Sequence, residues 1–187
     1  MQRSKEDVDL IFRAGQLHDI GKIITPESIL LKPNKFDDDE YVLMKEHAKS
    51  GYDILNQLKD YGQIASIVRH HHERYDGKGY PDGLLSNRIP ELSRIMTICD
   101  AFDAMTTNRV YKPRLSIKKA IDEIKKCSGT QFDPEIVPYA VTYFESLGEI
   151  ESTKSIPNDA VSRHRFAYFF KDNLTKAYNG LCRSAKS

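Results

Sequence analysis

The sequence predicts an all-α fold, and three observations carry that expectation. No stretch of the 187 residues sustains a period-two alternation of apolar and polar side chains. Apolar residues instead recur three and four apart in successive segments, as on one face of a helix. Those segments open on cap-type residues (Ser4, Asp37, Ser116, Asp133), with Pro and Gly between them. There is no internal repeat.

Ser4 is placed to cap a first helix whose apolar face is Val8, Ile11, Phe12 and Gly15. This helix is expected to run into Leu17-His18-Asp19-Ile20-Gly21-Lys22, with Asp19 on the face of Val8 and Phe12 and Gly21 as C-cap. A carboxylate on an apolar face needs a metal or a paired charge to compensate it. After a loop with Pro26 and Pro33, Asp37 caps a second helix and Glu40 completes a capping box. Met44, Ala48, Gly51, Leu55 and Leu58 line one side of it, and His47 lies on that side too. A single inward histidine is more often a hydrogen-bonded core residue than a ligand, so both readings stand for His47.

Ile64, Ile67 and Val68 mark the next apolar face, and it leads into His70 to Pro81, HHHERYDGKGYP. At about 100° per residue His71 falls on that face and His72 on its flank, while His70 points nearly the opposite way, towards solvent. Pro90 and Glu91 open a helix, ELSRIMTICDAFDAMT, with Leu92, Ile95, Met96 and Cys99 inward. Asp103 falls on the same face and Asp100 on its flank; they share a site or bridge to Arg94 or Arg109. Cys99 reads as small core packing rather than a nucleophile. Ser116 caps a helix through Ile117, Ala120, Ile121 and Ile124 that ends near Gly129, and Asp133-Pro134 starts the next, through Val137 and Val141 to Phe144. Residues 1–150 therefore read as one domain. Residues 151–187 read as a polar linker, broken at Pro157-Asn158-Asp159, and a short tail in which Arg163 to Lys171 is helical and at most lightly docked.

A net charge of +1 carries no footprint for a nucleic-acid polymer or an anionic membrane, so an anionic substrate has to be held locally. Cys99, Cys127 and Cys182 lie far apart without CxxC spacing, as expected of reduced thiols in a cytoplasm. No apolar run approaches the roughly 20 residues of a membrane span, and MQRSKEDVDL has no signal-peptide core.

Four helices thus deliver ligand-type side chains at or near a buried face: His18 and Asp19, His47, His71 and His72, and Asp100 with Asp103. Imidazole with carboxylate suits iron, manganese, zinc or nickel, and a carboxylate can bridge two ions. Two such ions about 3.5–4 Å apart can hold a hydroxide and clamp a phosphoryl oxygen, which needs no nucleophilic side chain. No Gly-x-Ser-x-Gly or catalytic-cysteine motif competes.

His18-Asp19-Ile20-Gly21-Lys22, His71-His72-Glu73-Arg74, Asp76-Gly77, Gly79-Tyr80-Pro81 and Asp100-Ala101-Phe102-Asp103-Ala104-Met105-Thr106 together resemble the HD-GYP family. That family belongs to the HD superfamily of metal-dependent phosphohydrolases. The resemblance runs from about Asp7 to Gly148 and implies an HD-type helical bundle. It implies a cyclic di-GMP phosphodiesterase acting through a metal-bridged hydroxide. By the same resemblance His18, Asp19, His47, His71, His72 and Asp100 are ligands to two divalent ions, with Asp19 bridging them. Lys22 matches the phosphate-contacting lysine, and Tyr80, Asp103, Arg109 and Lys112 match substrate-lining positions. Asp19, Lys22 and Asp103 then take the catalytic roles, and Glu73 and Arg74 support the site. The six ligands should converge on one pocket, with His70 and His164 outside it.

The chain departs from the family at both ends. The family carries a further histidine ligand on a preceding helix, and the residues before His18 offer no counterpart. That departure predicts a fragment of a longer protein or an impaired metal site, and keeps open a catalytically silent domain that binds the nucleotide or a protein. In the tail, Asp172-Asn173-Leu174-Thr175 with Tyr178-Asn179 resembles the opening of a GGDEF domain, and the resemblance stops at Gly180. A GGDEF-domain or other signalling protein is the partner this suggests. A phosphohydrolase for another nucleotide is disfavoured by Gly79-Tyr80-Pro81.

Overall fold

The structure, a computed structural model, describes residues 4–107 and 114–153. Arg109, Lys112, His164 and the tail expected to be helical lie outside the described residues. The α-helices are α1 (Lys5–Leu17), α2 (Glu27–Leu30), α3 (Asp38–Leu55), α4 (Gly62–His70), α5 (Glu91–Thr106), α6 (Ile117–Lys126) and α7 (Val137–Thr153), with 3-10 turns at Ile20–Ile24 and Ser86–Arg88. Among the described residues there is no strand, only isolated bridges pairing Asp76 with Leu85 and Ser128 with Phe132. The fold is all-α. No described helix is long and apolar enough to cross a membrane.

The caps act locally, as the sequence predicts. Ser4 and Asp7 exchange side-chain and backbone hydrogen bonds at the start of α1, and Asp37 and Glu40 do the same for α3. Each box satisfies amides that the first helical turn leaves without partners. Ser116 accepts the Lys119 N–H at 3.3 Å. Ser116→Ala is expected to cost about 1 kcal/mol, read as a lower urea midpoint at unchanged slope.

α5 holds the bundle together because it is buried on opposite sides. Met96 faces a cluster with Ala14, Leu55, Ile64, Ala65, Ile67 and Val68 from α1, α3 and α4. Ile98 and Phe102 face the other way, into a cluster with Ala120, Ile121, Ile124, Val141 and Phe144 of α6 and α7. There the Phe102 and Phe144 rings stack at 3.8 Å. Cys99 is buried among apolar neighbours, and burial pushes its thiol well above the ordinary range, as suits a packing residue.

Four local expectations need correction. α1 stops at Leu17, so Asp19 is not on its face but leads into a 3-10 turn. Gly21 is not a C-cap: it is buried in that turn, where a Cβ would sit 2.0 Å from the His47 carbonyl oxygen. Leu58 lies beyond the end of α3 and is 51% exposed. Asp133 does not cap α7 directly. Its carbonyl accepts from Ile136 and Val137 and its side chain from Glu135, closing a turn ahead of the helix.

Candidate metal centre

Three of the histidines are aimed by the same local device. The Nδ1 of His18, His47 and His71 lies 2.8, 2.6 and 2.5 Å from the carbonyls of Gly15, Met44 and Val68, each three residues back. At the end of a helix those carbonyls lack amide partners, and within one they share a second lone pair. An Nδ1–H donated there fixes the tautomer and leaves Nε2 as the acceptor, the arrangement a metal-binding imidazole needs.

Two of these imidazoles, those of His47 and His71, converge with that of His72. His47, His71 and His72 each offer a ligand atom within 4.8 Å of the others. The His71 and His72 rings lie 3.9 Å apart, and His47 approaches them at 5.5 and 5.0 Å. His18 meets His71 edge-on at 5.3 Å. Asp19 spans the group: Oδ1 is 3.7 Å from His47 Nε2, and Oδ2 is 3.5 Å from His18 Nε2. On the far side His18 Nε2 lies 3.6 Å from Asp100 Oδ1. One carboxylate therefore addresses two groups of donors, which its departure from the α1 helix makes possible.

Burial keeps His47, His71 and His72 neutral. Burial pushes His71 down to about 3 and depresses His47 and His72 as well, the latter helped by its His71 and His47 neighbours. For Asp19, burial alone would raise the carboxyl. The positive potential of His18 and Lys22 and the hydrogen bond from Lys22 Nζ, 2.6 Å long, outweigh it and hold the group below the usual carboxylate range.

His47 and His71 are 2% and 0% exposed, and their Nε2 atoms have no hydrogen-bond partner. An unsatisfied buried acceptor costs about 1–3 kcal/mol, and here two of them face one another beside a carboxylate. A divalent cation satisfies both at once and is attracted by Asp19. The residues fit such an ion, and imidazole with carboxylate suits a first-row transition metal.

The remaining candidates sort as follows. Tyr80 lies with its ring 4.9 Å from that of His72, and burial pushes its phenol up, so it stays neutral. Lys22 is tied to Asp19. Asp103 is half-buried and accepts from Thr107 Oγ1 at 3.3 Å. Arg94 does not serve Asp100 or Asp103 in a salt bridge; it pairs with buried Asp133 and donates to Asn87 and the Ile89 carbonyl. His70 is outside the cluster, but it is not turned to solvent. Its Nδ1 bonds the Ser66 carbonyl and its Nε2 lies 3.0 Å from Asp82. The hold that Asp82 and Glu73 exert on the Tyr80 loop was hidden from sequence reading, because both partners of Glu73 are backbone amides.

Residues 2–136 match the HD domain family. This chain belongs to that family. The HD domain is 42% identical over 136 residues to a cyclic di-GMP phosphodiesterase response regulator of Xanthomonas campestris, covering 72% of this chain and 36% of that protein. It is 36% identical over 152 residues to 3'3'-cGAMP-specific phosphodiesterase 2 of Vibrio cholerae, covering 80% of this chain and 29% of the relative. The chain thus spans about a third of the length of these relatives. A crystal structure of a cyclic GMP-AMP-specific phosphodiesterase of Vibrio cholerae shares the fold at a TM-score of 0.53 and 16% identity, over 95% of this chain and 56% of that one.

Proposed function

We propose that this HD domain is a metal-dependent phosphodiesterase that hydrolyses cyclic di-GMP. In this reading His18, Asp19, His47, His71, His72 and Asp100 hold two divalent ions, with Asp19 shared between them. The observation that carries it is the pair of buried, unpartnered Nε2 atoms on His47 and His71 beside the two-sided carboxylate of Asp19. The relatives named above as cyclic di-GMP phosphodiesterases supply the substrate class.

Iron or manganese fits the donor set, as do zinc and nickel. Bound there, such ions supply Lewis acidity towards a phosphoryl oxygen and a water-derived nucleophile at neutral pH. The protein's own residues do the rest. Lys22, anchored on Asp19, holds a positive charge where a non-bridging phosphate oxygen gains negative charge during in-line displacement. Tyr80 offers a neutral hydroxyl and an aromatic face at the rim. Asp103 orients the water or the leaving ribose oxygen, and Arg109 and Lys112 contact the substrate. The buried His47 and His71 exclude bulk water from the floor of the site.

The two halves of the site are unequal. Asp19, His47, His71 and His72 serve one ion, while His18, Asp19 and Asp100 serve the other. The second half therefore binds more weakly, and a domain holding one ion would retain the nucleotide without cleaving it. Residues 151–153, expected in the linker, are the last of α7; a linker and tail over 154–187, and a GGDEF-type or other signalling partner, rest on the tail sequence alone.

Elemental analysis of the purified protein, run beside a cyclic di-GMP hydrolysis assay with added Mn²⁺ or Fe²⁺, tests the reading. Two metal equivalents with at most slow turnover are expected once the added ion saturates the weaker half. Binding without turnover at saturating metal would favour the silent domain, and no bound metal at all would remove the proposal. A matching assay with 3'3'-cGAMP decides between the substrates that the relatives' names carry.

A further inference from the structure

The loop from Gly79 to Leu84 is gripped at two points that a metal cluster does not itself require. Glu73 follows directly on His72 and is 1% exposed. Among the described residues no cation pairs with it, since Arg69 is turned to Asp82 and Arg74 to Asp76. Its oxygens accept two backbone amides instead, Asp82 N–H at 2.7 Å and Leu84 N–H at 3.0 Å. A carboxylate is costly to bury, and apolar packing would fill the same space at less cost. What the carboxylate adds is direction, because two charge-assisted hydrogen bonds to main chain set where the backbone lies. Gly79 closes the fit: a Cβ there would sit 2.3 Å from Arg74 N and 2.5 Å from Glu73 Cα.

The second grip is on the outside. The Asp82 carboxylate receives Arg69 Nε and Nη2, both at 2.7 Å, and lies 3.0 Å from His70 Nε2. Within the loop so held, Tyr80 N–H donates to the His72 carbonyl at 3.3 Å. Its ring then lies over the His72 ring at 4.9 Å and 35°.

We propose that Glu73 and Asp82 are positioning residues that clamp the Gly79–Leu84 loop from inside and outside, so that the Tyr80 ring stays seated over His72. What the seated ring does for a nucleotide rests on the phosphodiesterase reading; the seating itself does not, and is readable without substrate. Neither residue touches the reacting atoms, and both act through Tyr80.

The test uses the zinc-loaded protein, in which the histidine ring signals are observable by NMR. The ring-current contribution of Tyr80 to His72 is defined by its loss in Tyr80→Leu. Glu73→Gln and Asp82→Ala are expected to move the His72 signals towards their position in Tyr80→Leu, with His18 unmoved and zinc content unchanged. Cyclic di-GMP affinity, measured by calorimetry, should fall about tenfold in Glu73→Gln, the scale of one charge-assisted hydrogen bond. Adding Glu73→Gln to Tyr80→Leu should cost nothing further, whereas a merely structural role would add its loss and lower zinc content. His72 signals that stay in place in both single variants would overturn the clamp. If Glu73→Gln fails to fold, Asp82→Ala, on the outer side of the loop, decides by the same signals. Failure of the wild type to bind cyclic di-GMP would sink the phosphodiesterase reading while the His72 signals still judge the clamp.

Discussion

Asp19→Ala is expected to remove bound metal and phosphodiester hydrolysis together while leaving the helices intact. The two oxygens of Asp19 face different histidines, His47 Nε2 at 3.7 Å and His18 Nε2 at 3.5 Å, so its loss weakens both halves of the site. It also releases Lys22, whose ammonium it holds at 2.6 Å. Loss of an outer-shell partner to a metal ligand typically costs 10–100-fold in affinity or activity, so losing a shared ligand should cost at least about a hundredfold. The side chain is half-exposed and helps to fill no core cluster, so the metal-free variant should melt close to the metal-free wild type. The stabilisation that added Mn²⁺ gives the wild type should disappear, because only binding to the folded state supplies it. Wild-type metal content in Asp19→Ala, by elemental analysis, would show that the carboxylate is not a shared ligand.

Gly21→Ala should be the more damaging change to the fold itself, though it adds a single methyl group. That methyl would lie 2.0 Å from the His47 carbonyl oxygen and 2.5 Å from the Gly51 amide nitrogen, both main-chain atoms of α3. Helix backbone cannot swing aside as a side-chain end can, so the 3-10 turn Ile20–Ile24 must lift off α3. Overpacking of a tight interior commonly costs about 1–3 kcal/mol, and a clash with backbone on two sides belongs at or beyond the top of that range. The turn continues from Asp19 and carries Lys22, and α3 carries His47, so metal content should fall along with the melting temperature. Gly62→Ala is the matched control, since its added methyl meets nothing closer than Asn56 Oδ1 at 4.0 Å. Denaturant melts of the two variants, with metal analysis, separate the cases. Equal stability of Gly21→Ala and Gly62→Ala would mean that the contact of the turn with α3 is loose.

What the sequence determined by itself is what short-range physics controls. The caps at Ser4, Asp37 and Ser116 and the start of α5 after Pro90 follow from residues within one turn of each other. The inward setting of His47 and His71 follows from helical periodicity alone, because each sits on a face whose other members are apolar. The motif spacing likewise carried the family.

Only the tertiary structure decided where side chains go once a helix has ended. Asp19 looked like a residue on the face of α1, but the helix stops at Leu17, and the direction of Asp19 depends on a turn whose path is set by Gly21 against α3. The pairing of Arg94 with Asp133, and of Asp82 with Arg69 and His70, joins residues far apart in sequence through loops that have no periodicity to read. Glu73 is the clearest case. Its partners are main-chain amides, which every residue but proline carries, so no pattern of side chains announces them. Helix faces are properties of the local chain; the meeting of His18, Asp19, His47, His71, His72 and Asp100 depends on how α1, α3 and α4 pack with α5, and that is a property of the whole core.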